Sequence, residues 1–101
     1  MERKLEKALE KGLDRLLNGT LENTYYRLIT KGLLDVVHSK RDFLLGVVVG
    51  DMAEGLGFCI WGAHKRYPKE KEFQSLFNMI QRRSSEIQEK IESILICNQV
   101  C

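Results

Sequence analysis

Apolar side chains recur at helical spacing along most of this 101-residue chain. Residues 2–17 repeat every four positions, and acids, bases and leucines each hold one place in the repeat. A period of four keeps each class of side chain on one slowly drifting stripe of a helix with 3.6 residues per turn. The pattern therefore predicts an amphipathic first helix over 2–17 with a solvated, charged side.

Turn signals and apolar spacing predict the second and last helices. Asn18-Gly19 is typical of a helix end, so a second helix is predicted over 20–38. The single proline, Pro68, suits the first turn of a last helix over 69–98, where apolar positions alternate spacings of four and three. No stretch has the pattern of a β-strand. The predicted fold class is all-α, a four-helix, bundle-like domain.

The central segment 43–63 is apolar on nearly every side and contains no lysine or arginine. Ser39, followed three residues later by an acid, has the pattern of a capping box, which predicts a central helix over 40–66. A helix that is apolar all round is usually buried. Side chains that we expect in the core of the protein therefore include Phe58, Cys59 and Trp61.

Small residues line one face of this central helix at positions i, i+4, i+7 and i+11: Gly46, Gly50, Ala53 and Gly57. Each glycine inside a helix costs roughly 1 kcal/mol relative to alanine. Close packing of another helix backbone against this face, which only small side chains allow, would compensate for that cost. Because four helices of one short chain barely enclose such a helix, we predict a homodimer joined along it, with these four residues at the interface.

Composition and charge narrow the classes of function. The chain is 44% hydrophobic and 30% charged, which is typical of a soluble folded protein. Its net charge is +2 and no dense basic run is interleaved with aromatic residues, so we expect no nucleic-acid partner. Three cysteines, an odd number, and a charge-alternating N-terminal segment unlike a signal peptide favour a reducing, cytoplasmic location.

The central segment is also long enough to cross a bilayer, which takes about 20 apolar residues. Two acids, Asp51 and Glu54, lie near its middle, where each charge costs roughly 2.5–3.5 kcal/mol. Basic pairs flank both ends, so the flanks favour neither orientation. On this balance we expect no membrane partner, and membrane attachment through 43–63 remains a weaker hypothesis.

Two polar pairs have spacing that could hold a divalent metal. Asp35 and His38 lie three residues apart in the predicted second helix, and Asp51 and Glu54 lie three apart in the central helix. Side chains at i and i+3 project from one side of a helix, and carboxylates with histidine on facing helices hold metals in helical bundles. Surface positions for all four residues explain the same pattern more simply. Cys97 and Cys101, four residues apart, could also supply two zinc ligands.

These patterns leave three hypotheses for the single helical domain, residues 1–101. The first is a non-enzymatic interaction or scaffold protein that acts as a homodimer, with a possible further protein partner and no cofactor. The second is a dimeric all-α metal-dependent phosphohydrolase or metal-binding bundle that uses Asp51 and Glu54 with Asp35 and His38. The third is a membrane-associated protein.

Overall fold

The computed structural model describes residues 2–100, and the side chains of all of these except Leu33 and 97–100. Within that range the chain forms α-helices and no β-strand, which confirms the all-α, bundle-like fold class. The molecule is elongated, with principal extents of 45 × 25 × 21 Å. Its helices are α1 (Arg3–Arg15), α2 (Leu21–Thr30), α3 (Lys40–His64), α4 (Glu70–Arg82) and α5 (Ser84–Val100).

Helix α3 is the centre of the fold, because each of the other four helices packs against it. One row of its side chains, spaced every fourth residue, is fully buried: Leu44, Val48, Met52, Leu56 and Ile60. A row with this spacing drifts by about 40° per step around a helix. We call these five residues the buried row. The buried side of α3 therefore turns gradually around the helix from one end to the other.

The ends of α3 follow local rules. The Ser39 Oγ accepts a hydrogen bond of 3.1 Å from the Asp42 backbone N–H, so the helix begins where its capping pattern predicts. Lys65 adopts the left-handed conformation, with φ 53° and ψ 40°, and α3 ends at His64. The helix is therefore two residues shorter than predicted, because the chain turns before it reaches Pro68.

The junction of α1 and α2 is a sharp kink at Asn18 and Gly19. A single π-helical turn, Leu16–Thr20, joins the two helices, and Gly19 takes φ 149° and ψ −34°. Such a positive φ is accessible to glycine at little cost. The backbone leaves helical geometry at Asn18 and Gly19, so the break between the two helices falls at the residues that predict it.

Helix α2 is much shorter than its predicted range of 20–38. It ends at Thr30 because Gly32 adopts the left-handed conformation, with φ 69° and ψ 13°. A 3₁₀ turn, Leu33–Val36, follows, and Val37 is extended. The prediction that residues 31–38 continue the second helix is therefore wrong.

The predicted helix over 69–98 is divided into α4 and α5 at Arg83, whose backbone has φ −103° and ψ 15°. The Arg83 guanidinium contacts the Asp14 carboxylate of α1 at 2.5 Å and donates two hydrogen bonds to Glu86, of 2.9 and 3.0 Å. A tertiary ion pair therefore accompanies the break. Both helices pack on α3, with Leu76 and Met79 of α4 and three isoleucines of α5, Ile87, Ile91 and Ile94, in the core.

Candidate functional site

The side of α3 that faces away from the core is open to solvent. Gly46, Gly50, Glu54, Phe58 and Gly62 are all exposed. Each lies two residues after a member of the buried row, which places it about 160° away around the helix. Phe58 is 70% exposed, although an apolar ring of this size is normally inside. We call these five residues the exposed row.

The predicted small-residue face overlaps this open side. Gly46 and Gly50 are exposed, while Ala53 and Gly57 are half-buried. A methyl group added at any of these three glycines would meet no atom within 4 Å, neighbouring backbone aside. No neighbouring helix of the same chain therefore makes the close approach that the pattern predicts, and its use by a second chain stays a prediction.

Three aromatic side chains surround a pocket of about 330 Å³ at the C-terminal end of α3. Phe58, Trp61 and Tyr67 line it together with Glu54 and Gly57. The Trp61 and Tyr67 ring centroids are 5.4 Å apart, with the ring planes tilted by 44°. Trp61 is 47% exposed and Tyr67 is 80% exposed, so the pocket opens directly to water. We call it the aromatic pocket.

The loop that brings Tyr67 to Trp61 is held by an ion pair. The Arg66 guanidinium donates two hydrogen bonds to the Glu72 carboxylate, of 2.8 and 3.0 Å, and one of 3.0 Å to the Tyr67 carbonyl oxygen. Glu72 Oε1 also accepts a bond of 2.8 Å from the Lys69 backbone N–H. These donors, the Arg66 side chain foremost, lower the pKa of Glu72 to about 2. The carboxylate therefore stays charged and ties the loop to the start of α4.

The four predicted metal ligands do not form one group. Asp35 lies in the 3₁₀ turn and His38 follows an extended residue, so the expectation that they share a helix face is wrong. Asp51 and Glu54 do lie on one helix, and all four side chains are exposed. Among the described residues, no three His, Cys, Asp or Glu side chains are placed to hold a metal ion. The zinc hypothesis for Cys97 and Cys101 lies outside the described side chains.

Sequence reasoning missed the aromatic pocket. It placed Phe58, Cys59 and Trp61 in the core, and all three are exposed, because the core uses a different side of α3. The sequence does indicate which side of α3 is buried, when residues 43–63 are sorted into rows of every fourth residue. The buried row is the one such row in 43–63 with a large apolar side chain at each of its five places. The row through Gly46 and Phe58 contains three glycines and a glutamate.

A second groove, of about 280 Å³, lies where α3 meets the junction of α4 and α5. Leu45 and Val49 of α3 and Phe77 of α4 contribute apolar walls, and Gln81 and Gln88 supply polar ones. It has no charged side chain among its lining residues. This groove is therefore less distinctive chemically than the aromatic pocket.

The sequence matches no protein-family model, and comparisons with curated proteins and with solved structures find no match either.

Proposed function

We propose that this protein is a non-enzymatic helical interaction module that self-associates through the open side of α3. The observation that supports the proposal is the small-residue face of Gly46, Gly50, Ala53 and Gly57, which is apolar, uncharged and free of contacts at its glycines. Glycine inside a helix is unfavourable unless something uses the space. A second copy of α3 fits that space, because two helices with small residues at their crossing can approach closely across a two-fold axis.

The accessible surface of the chain also supports a partner. It amounts to 7085 Å², whereas mass scaling gives about 5,900 Å² for a compact monomer of 11.7 kDa. The excess, about 1,200 Å², exceeds the roughly 800 Å² that each partner contributes to a standard interface. Part of this excess follows from the elongated shape. The exposed area of the chain is therefore compatible with a dimer interface of standard size.

Charge placement is compatible with such an interface. The small-residue face is centred about 70° around α3 from Glu54 and about 130° from Asp51. Glu54 would lie at the edge of the contact and Asp51 outside it, so both carboxylates can remain hydrated. Burying an unpaired carboxylate would instead be strongly unfavourable.

A pair of glycine substitutions on the same helix tests the proposal. Gly50→Leu places a bulky side chain in the middle of the small-residue face, whereas Gly62→Leu places one about 150° from its centre. Both glycines are exposed and free of contacts, so both variants are expected to fold. Size-exclusion chromatography in detergent-free buffer should show a dimer for the wild type and for Gly62→Leu, and a monomer for Gly50→Leu. Equal behaviour of the two variants, or a monomeric wild type, contradicts the proposal.

Membrane attachment is the second candidate, and the composition and low burial of α3 favour it. Among the described helices, α3 alone is long and apolar enough to cross a bilayer, and only 28% of its most apolar 18 residues are buried. Core helices of soluble proteins can be equally long and apolar. Flotation with lipid vesicles distinguishes the candidates: a soluble dimer stays at the bottom of the gradient, and a membrane-attached protein rises with the vesicles.

The metal-dependent hypothesis would need two copies of the chain, since one copy gathers no group of three ligands among its described residues. A dimer through the small-residue face would bring two copies of Glu54 to the edge of one interface, whereas Asp51 would lie outside it. Thermal melting with and without Mg²⁺ or Mn²⁺ tests it. A metal-dependent rise in melting temperature that Asp51→Asn and Glu54→Gln abolish supports a metal site, and an unchanged melting temperature argues against one.

A further inference from the structure

We propose that the aromatic pocket binds a quaternary ammonium group, using the rings of Phe58, Trp61 and Tyr67 and the carboxylate of Glu54. Aromatic faces carry negative charge density and attract cations within about 6 Å of the ring centre. Three such rings and one carboxylate line the same pocket of about 330 Å³. The proposal goes beyond self-association: the pocket shares Gly57 with the small-residue face, but one chain supplies every lining residue.

The charge of Glu54 favours a cation over a neutral apolar ligand. Among the described residues, its side chain makes no hydrogen bond or ion pair. Arg66 is instead committed to Glu72. A neutral ligand in the pocket would shield the Glu54 carboxylate from water without any electrostatic compensation, whereas a cation would supply that compensation.

The small number of hydrogen-bond acceptors favours an alkylated cation. A primary ammonium has three N–H donors and a guanidinium has five, and each donor that loses water needs an acceptor. Of the five lining residues, only Glu54 and Tyr67 have side-chain hydrogen-bond acceptors. A quaternary ammonium group has no N–H donor. It can therefore enter a mostly apolar, negatively charged pocket without leaving any donor unsatisfied.

The pocket is pre-organised by α3 and by the loop that follows it. Phe58 and Trp61 are fixed to α3 one turn apart, and the Arg66–Glu72 pair anchors the loop that carries Tyr67. Pre-organised groups bind more tightly because less conformational freedom is lost on binding. Gly57 lines the pocket and has open space beside it, since a methyl group added there would meet no atom within 4 Å. A large side chain at position 57 should therefore fill the pocket.

Trp61 provides a direct readout because it is the single tryptophan of the chain. Its emission would be titrated with choline and, in parallel, with 3,3-dimethylbutan-1-ol, the neutral analogue in which carbon replaces the charged nitrogen. Sodium chloride would hold the ionic strength constant. We expect choline to shift the emission saturably and to bind about tenfold more tightly than the neutral analogue. Equal binding of the two compounds, or no saturable response to choline, overturns the proposal.

A matched pair of charge variants tests the role of the carboxylate. Glu54→Gln removes the charge of a pocket residue and keeps the size of its side chain, whereas Asp51→Asn removes the charge of another exposed side chain one turn away, outside the lining. Glu54→Gln should weaken choline binding about fivefold, and Asp51→Asn by less than about twofold. Equal losses in the two variants would mean that only the overall charge matters, which overturns the site. Circular dichroism confirms that both variants are folded.

A second arm identifies the source of the ammonium group. Vesicles of phosphatidylcholine present it on a membrane surface, and vesicles of phosphatidylglycerol lack it. If only phosphatidylcholine vesicles and choline shift the emission, and Gly57→Leu abolishes both responses, the pocket reads a lipid headgroup. If only soluble choline acts, the ligand is a small molecule. Responses to both vesicle types that survive Gly57→Leu contradict the pocket and indicate general membrane adsorption.

Discussion

Arg66 and Glu72 form a bidentate ion pair, with hydrogen bonds of 2.8 and 3.0 Å, across the loop that joins α3 to α4. The same carboxylate accepts the backbone N–H of Lys69 at the start of α4. One side chain thus caps a helix and holds the loop that carries Tyr67. The stability of this corner should depend on the charge of Glu72.

The first prediction concerns pH. The pKa of Glu72 is lowered to about 2 in the folded protein from 4.5, so its stabilising effect is present above the unfolded value. That effect should fall as the pH drops from about 4.5 towards 2. Glu72→Gln should reduce the free energy of unfolding at pH 7 by about 1 kcal/mol, a small value because Arg66 is 35% exposed and solvent screens the pair.

Urea unfolding of the wild type and Glu72→Gln between pH 7 and pH 2.5 would measure this difference. Glu70→Gln is the matched control, because Glu70 lies in the same first turn of α4 and forms no ion pair among the described residues. Its effect should be limited to the interaction with the helix dipole, a few tenths of a kcal/mol. A difference between wild type and Glu72→Gln that stays constant down to pH 2.5 would refute the assignment.

The second prediction concerns the contact-free glycines of α3. Gly46→Ala should raise the stability of the monomer by about 0.5–1 kcal/mol, because alanine favours the helix and its methyl group meets nothing within 4 Å. Gly62→Ala, outside the small-residue face, should stabilise by a similar amount. Unfolding at low protein concentration measures the monomer, and sedimentation at high concentration measures association. Gly46→Ala should weaken association while Gly62→Ala leaves it unchanged; the reverse order would exclude this face.

The third prediction concerns the kink between α1 and α2. Gly19→Ala should destabilise the protein by about 1–3 kcal/mol, because φ 149° is strained for any residue with a side chain. Gly12→Ala, within α1, should instead stabilise it by about 0.5–1 kcal/mol, since a methyl group there meets no atom within 4 Å. Thermal melting of the two variants gives the sign directly. A stable Gly19→Ala variant would mean that α1 and α2 join differently.

The fourth prediction concerns the break between α4 and α5. Arg83→Met should lower stability by about 1–2 kcal/mol, because Arg83 contacts both Asp14 and Glu86 and its side chain is only 20% exposed. Arg82→Met is the neighbouring control. Arg82 makes one looser pair, at 3.6 Å to Glu6, and is 61% exposed, so its loss should change stability by less than about 0.5 kcal/mol. Similar effects of both variants would show that the tertiary ion pair does not stabilise the break.

Local sequence signals predicted the central helix but not the end of α2 or the division between α4 and α5. The apolar length of the central segment and the Ser39 cap predicted α3 to within two residues, because both signals are local. The early end of α2 and the division at Arg83 were not predicted. A glycine can lie inside a helix or end it, and the sequence around Gly32 does not show that this one adopts the left-handed conformation. The division at Arg83 was missed because its partner Asp14 lies 69 residues away in sequence.

The exposure of Phe58 and Trp61 has a different origin. Periodicity indicates which residues share a side of α3, but it does not say which side the neighbouring helices cover. The buried row could have been recognised because all five of its side chains are large and apolar. The pocket itself could not, because Tyr67 reaches Trp61 through a loop whose course depends on Arg66 and Glu72.

Self-association through α3 is the central claim, and the molar mass in solution tests it most directly. Sedimentation equilibrium in detergent-free buffer, over a hundredfold range of protein concentration, should converge at high concentration on twice the chain mass of 11.7 kDa. Gly50→Leu should remain at the mass of one chain under the same conditions. A wild-type protein that stays at 11.7 kDa throughout the range would contradict the account.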